Sequence, residues 1–196
     1  RRRHVFTLID GGPGSGIHKT TDGGETWKKV TSGLPKEEMG RIGLAIAPTE
    51  PDTLYALVET AAANKAGGTF RSTNRGESWE KRGDYVPGGP MYYQEIFVDP
   101  KDHERLYSMD VFLKVSDDAG KTWTNLGERY KHVDNHAIWI DPDDTDHYLV
   151  GGDGGLYQSF DRAATWQFVG NLPVTQFYRV DVDNSSPAYY VYGGTQ

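Results

Sequence analysis

Four octapeptides recur along the chain: TTDGGETW at Thr20 to Trp27, STNRGESW at Ser72 to Trp79, SDDAGKTW at Ser116 to Trp123 and SFDRAATW at Ser159 to Trp166. Their closing tryptophans are 52, 44 and 43 residues apart. That period is the length of one four-stranded propeller blade, a unit that must bury its apolar face against the next blade. The octapeptides therefore predict an all-β β-propeller of about four four-stranded blades.

Each octapeptide makes chemical sense as a hairpin turn. A Ser or Thr hydroxyl and an Asp or Asn side chain two positions later accept backbone N–H bonds inside the turn, and Gly tolerates positive φ there. The closing Trp is expected to cover the turn with a large apolar face. Asp22, Asn74, Asp118 and Asp161, with Trp27, Trp79, Trp123 and Trp166, are thus read as structural. Ala163, standing where the other repeats have Gly, is expected to alter the last turn.

A second unit precedes each later octapeptide and reads strand, polar turn, strand. Aligned on Pro48, Pro100, Pro142 and Asn184, the first strands place Leu44, Ile96, Ile138 and Val180 in one column and Ile46, Val98, Ile140 and Val182 in another. Alternation with an aliphatic column is the pattern of a half-buried strand packed on a neighbouring blade. With strands lettered A to D in each blade, C ends at the octapeptide and D starts at its Trp. The chain then divides into 1–33 (strands B, C and D, with B at His4 to Ile9), blades at 40–84, 92–128 and 134–170, and strands A and B at 176–196. This register is that of an incomplete ring, with the remaining blades of a longer parent as its partners.

Composition narrows the function classes. The formal net charge of −7 opposes a nucleic-acid surface, which needs clustered Lys and Arg. With no cysteine there is no thiol chemistry or zinc–thiolate site. No apolar run approaches the ~18 residues of a membrane span.

The four boxes follow [ST]x[DN]xGx[ST]W, strictly in three cases and with Ala in one, and on them the chain resembles the BNR or Asp-box repeat superfamily. That superfamily includes sialidases, xyloglucan-degrading glycoside hydrolases, sortilin receptors and photosystem assembly factors. The segments HVDNHAIWIDP, GGDGGLYQSFD and NLPVTQFYRVDVDN and the closing GGTQ look most like bacterial sortilin-like, glycosyl-hydrolase-like proteins. A sialidase is expected to show an Arg-Ile-Pro motif and an Arg triad, whereas here Arg41 is followed by Ile42 and Gly43. A photosystem factor is expected to carry a basic patch, which the acidic balance disfavours. The Cys-rich module of animal sortilins is absent.

In a propeller the starts of the A strands and the B-to-C loops share one face, which is where a ligand is sought. The alignment brings Tyr92, Tyr93, Gln94, His132, Asp134, His136, Gln176 and Tyr178 there as candidate ligand-binding residues. The B-to-C loops add one acid per blade: Asp10, Glu59, Asp110 and Asp153. Asp110, Asp134 and Asp153 are the candidate catalytic carboxylates, since paired acids beside aromatic faces serve glycoside hydrolysis. His132, Asp134 and His136 alternate and are expected to project to one side, a spacing compatible with a divalent metal. Hydrogen bonding is the reading adopted, with no metal and no cofactor assigned. The insert ETAAANKAGG at 59–68 is expected to overhang the channel mouth.

Two functions follow. The first is an extracellular or periplasmic sortilin-like scaffold that binds peptide or glycan at the channel face. The alternative is a glycoside hydrolase resembling the xyloglucan-degrading group, with paired rim carboxylates.

Overall fold

The structure, a computed structural model, describes residues 2–4, 7–9, 11–61, 66–172 and 177–195. Strands β1 (Arg2–His4) and β2 (Thr7–Ile9) pair as a hairpin, and β3 (Ile17–Lys19) pairs with β4 (Lys28–Val30). Three four-stranded antiparallel meanders follow. The second blade is β5 (Met39–Ile46), β6 (Leu54–Thr60), β7 (Gly68–Ser72) and β8 (Glu80–Gly83). The third follows a single helical turn, α1 (Pro90–Tyr93), and is β9 (Ile96–Val98), β10 (Leu106–Ser108), β11 (Lys114–Ser116) and β12 (Thr124–Asn125). The fourth is β13 (Asn135–Ile140), β14 (Tyr148–Gly152), β15 (Gly155–Ser159) and β16 (Gln167–Phe168), and a last hairpin joins β17 (Phe177–Val182) to β18 (Val191–Thr195). The chain is all-β and built of propeller blades.

Within the span read as one strand, His4 to Ile9, the structure instead has the ends of two strands that pair with each other. The glycine-rich stretch that follows leads to β3, which lies in a separate two-stranded sheet. Gly11 lies at φ +105°, and a Cβ there would stand 2.7 Å from the carbonyl oxygen of Met39, so no side chain fits.

The four boxes make the same turn. In each, the first hydroxyl accepts from the N–H four residues on, at 2.9 Å, in the order Gly24, Gly76, Gly120 and Ala163. The acid or amide accepts from the N–H of Thr26, Ser78, Thr122 and Thr165 at 2.8–3.0 Å. Ala163 does not alter the turn: it takes the left-handed conformation itself, at φ +70°. These bonds favour the ionised acids. Desolvation opposes the shift at Asp118, yet hydrogen bonds from Thr122 and Ser116 hold its pKa at about 2. Hydrogen bonds from Thr20 and Thr26 lower Asp22, and those from Thr165 lower Asp161.

The box tryptophans reach back onto the preceding blade. Trp79 joins a core with Ile17, Val30 and Leu34, Trp123 Nε1 donates to Thr69 Oγ1 at 3.1 Å, and Trp166 Nε1 donates to the Gly127 carbonyl at 2.6 Å. Trp79 and Trp166 are accordingly 5% and 8% exposed. Trp27 departs from the expected covering role: it is 61% exposed and donates only to its own turn, at Gly24 O. Among the described residues no blade lies before it to receive the ring. The aliphatic columns behave alike. Ile96 and Val98 are buried against Tyr55 and Leu57, and Ile138 and Ile140 against Tyr107 and Met109, whereas Leu44, Ile46, Val180 and Val182 are exposed. The column is buried in the third and fourth blades, where it faces β6 and β10 of the blade before.

Candidate functional site

The segment between β12 and β13 carries the site, and a buried network anchors it. Lys131 and Glu128 pair at 2.9 Å with side chains 1% and 8% exposed. Lys131 also donates to the His132 carbonyl at 2.8 Å and to Asn135 Oδ1, and lies against the rings of Trp166 and Tyr157. Asn135 Nδ2 donates to Val111 O at 3.0 Å and to Glu128 Oε1 at 2.8 Å, tying the fourth blade to the third. Sequence reasoning missed this network, because a single Lys in the polar stretch ERYKHVDNH carries no sign of burial.

Above this platform stand Asp134, His136 and Asp153. Asp134 has φ +73°, and the β13–β14 register slips between Asn135 and Ala137, leaving His136 as the extra residue of a bulge. A bulge re-aims the side chain it carries. His136 Nε2 sits 3.1 Å from Asp153 Oδ1 and 3.7 Å from Asp134 Oδ1. The loop bearing Asp153 is held close by its own N–H, which donates to the Asp134 carbonyl at 3.2 Å. One ligand atom from each of the three lies within 4.8 Å of the others.

Tyr93, at the end of α1, backs the group. Its hydroxyl donates to Asp134 Oδ1, and its ring stacks on His136 at 5.4 Å and 18°. Burial first, then the bond to Asp134 and the charges of Asp134, Asp110 and Asp153, push its phenol well above the usual tyrosine value. Tyr92 is exposed and meets Tyr93 edge-on at 6.1 Å.

The other candidates do not converge here. Asp110 is 8% exposed, accepts from Tyr85 OH at 3.1 Å and from Val111 N at 2.8 Å, and so holds its loop together. Gln94 is buried between blades, where Nε2 donates to the Leu57 carbonyl at 2.8 Å. His132 is not part of the cluster: residues 131–134 are not in a strand, so the alternation expected of them fails, and His132 folds over Gly154. Glu59 accepts from Arg41 N at 2.9 Å. Asp10 and Gln176 lie outside the described residues, as do residues 62–65 of the insert; Tyr178 lies in β17 with its side chain outside them. A separate shallow cavity of about 310 Å³ opens between β5 and β9, where Glu95 Oε1 takes Arg179 at 2.8 Å and Arg41 at 3.7 Å.

Comparison with known proteins agrees with this picture. The BNR/Asp-box repeat model matches residues 18–29. A xyloglucanase of a Paenibacillus species is 29% identical over 126 residues, covering 57% of this chain and 12% of the relative. An oligoxyloglucan-reducing end-specific xyloglucanase of Emericella nidulans is 27% identical over 160 residues, covering 73% of this chain and 19% of the relative. The chain thus spans less than a fifth of the length of either enzyme. Among solved structures, the GH74 enzyme of Niastella koreensis superposes with a TM-score of 0.65 at 19% identity, over 91% of this chain and 30% of that one, a likeness of fold. Four like box turns, the matching repeat model and the superposition on a propeller enzyme show a chain of β-propeller fold that carries the BNR/Asp-box repeat.

Proposed function

We propose that the chain belongs to a secreted glycan-acting propeller, a glycoside hydrolase of the xyloglucan-degrading type, with Asp134 and Asp153 as its paired rim carboxylates. The observation that carries this reading is their convergence around His136 beside the exposed ring of Tyr92. Glycosidases flank the scissile bond with two carboxyl groups, and their separation sets the stereochemical course. Asp153 is 60% exposed at its side chain and touches only His136 among the described residues, so it is open to the departing glycosidic oxygen. Asp134, fixed by Tyr93 and facing His136, is the partner carboxylate beside the anomeric carbon. Tyr92 offers a flat apolar face to a sugar ring. The similarity to two xyloglucanases favours this hydrolytic reading over the sortilin-like binding scaffold. A polysaccharide substrate, and further blades completing the ring, belong to the same proposal, and a substrate too large to enter a cell places the protein outside it.

The test is release of reducing ends from xyloglucan and its oligosaccharides by the longest polypeptide that carries this segment. Asp153→Asn should lower the rate about 10²- to 10⁴-fold, the usual share of a general acid or base, while its melting temperature stays put. Retention of xyloglucan in affinity electrophoresis with no reducing ends from the wild type would return the scaffold reading.

A further inference from the structure

Asp134, His136 and Asp153 present two carboxylates and an imidazole to one point. We infer that they bind a divalent transition-series cation, Mn²⁺ or Zn²⁺. Ligands at about 2.0–2.2 Å from a tetrahedral ion lie about 3.3–3.6 Å apart. His136 Nε2 already stands 3.1 Å and 3.7 Å from the two carboxylate oxygens, and all three donors lie within 4.8 Å of one another, so side-chain torsion has about 1 Å to close. The nitrogen donor selects against Ca²⁺ and Mg²⁺, which take oxygen.

Two further observations point to a cation. The group is braced from behind as metal ligands are: the buried Tyr93 donates to Asp134 and stacks on His136, fixing both donors. Its charge is also unmatched. Among the described residues no Lys or Arg pairs with Asp134 or Asp153, and Lys131, the buried ammonium of the same segment, is committed to Glu128, Asn135 and the His132 carbonyl. Two carboxylates held face to face without a cation leave a concentrated negative potential that a bound ion offsets.

Binding does not depend on the proposed hydrolysis, but its consequence does. An ion on these oxygens occupies the groups that would handle the sugar, so added Mn²⁺ or Zn²⁺ should inhibit rather than activate.

The experiment is calorimetric titration of EDTA-stripped protein with MnCl₂ and ZnCl₂, with CaCl₂ as the control. One site per chain is expected. Asp153→Asn and His136→Gln should each weaken it about tenfold or more, with the melting temperature of the metal-free protein unchanged. Without any substitution, Mn²⁺ should broaden the amide resonances of residues 134–136 and 152–154 before others. No binding up to about 1 mM, a millimolar ceiling being too weak for a built site, would overturn the inference. So would equal binding by both variants, or broadening centred elsewhere. Ion binding without hydrolysis removes only the glycosidase reading, and hydrolysis without ion binding removes only this one.

Discussion

The third and fourth blades share strand order, box turn and packing, yet they use their loop acids in opposite ways. Leu106 of β10 pairs with the box serine Ser116, and Tyr148 of β14 pairs with Ser159. Counted from those residues, Asp110 is the fourth residue on and Asp153 the fifth. Both acids lie just past the ends of their strands, one position out of step with each other. Asp110 shares its place with Val58 of the second blade, which is fully buried, and it is buried too. Asp153 shares its place with Glu59 and faces solvent. The same residue type is thereby a fastener in one blade and an exposed carboxylate in the next.

The two box turns offer the strongest way to test how alike these blades are. A Cβ on Gly120 would stand 2.4 Å from Thr69 Cγ2, in a backbone at φ +83°. Gly120→Ala should therefore cost about 2–4 kcal/mol, combining left-handed strain with overpacking. Ala163 already carries its methyl in the core formed with Trp166. Ala163→Gly relieves strain but gives up that burial, so its net effect should stay within about 0.5 kcal/mol. Urea unfolding of both variants measures the difference, and similar costs would mean that the blade interfaces are equivalent after all.

The acids come next. Asp110→Ala leaves the N–H of Val111 without its acceptor and takes from the Tyr85 hydroxyl one of its two partners, Ser108 Oγ remaining at 3.2 Å, and should cost about 1–3 kcal/mol. Asp153→Ala, at an exposed carboxylate bonded only to His136, should change stability by less than about 0.5 kcal/mol. Equal losses in a denaturant titration would erase the distinction between the buried fastener and the exposed acid.

A smaller effect separates the boxes by pH. Asp118 has a folded pKa of about 2, below its unfolded value, so its contribution is full above the unfolded pKa and disappears as pH falls towards 2. With the discount due to an exposed rim, the loss should be about 1 kcal/mol. Asn74, in the second blade, makes the same acceptor bond to Ser78 N and donates to Ser78 Oγ at 2.9 Å, with no ionisation to lose. Asp118→Asn should flatten the fall of the urea midpoint between pH 4 and 2, about the span separating the two pKa values. An unchanged slope would show that the box charge is irrelevant.

Much of the fold was legible because it is local. Hydroxyl, acid and positive-φ residue sit within four positions of one another in every box, and the aliphatic columns recur with the strand period. The site was only half legible. Asp134, His136 and Asp153 were all named as candidates, but so were Asp110, Gln94 and His132, which the structure sets to other uses. The bulge at His136 and the left-handed Asp134 are set by the register of β13 on β14, which the alternation of residues within one segment does not reveal. Lys131 and Glu128 were invisible for a related reason: their burial is conferred by Trp166 and Tyr157, far along the chain.

The backward reach of the box tryptophans bears on how the protein is made. Trp79, Trp123 and Trp166 each close onto a blade lying earlier in the chain, as do the columns at Ile96 and Ile138. As the chain leaves the ribosome, each new blade finds its docking surface already synthesised, and none of these contacts waits for sequence still to come. Growth of the core is therefore directional, each later blade being sealed by contacts to the one already made.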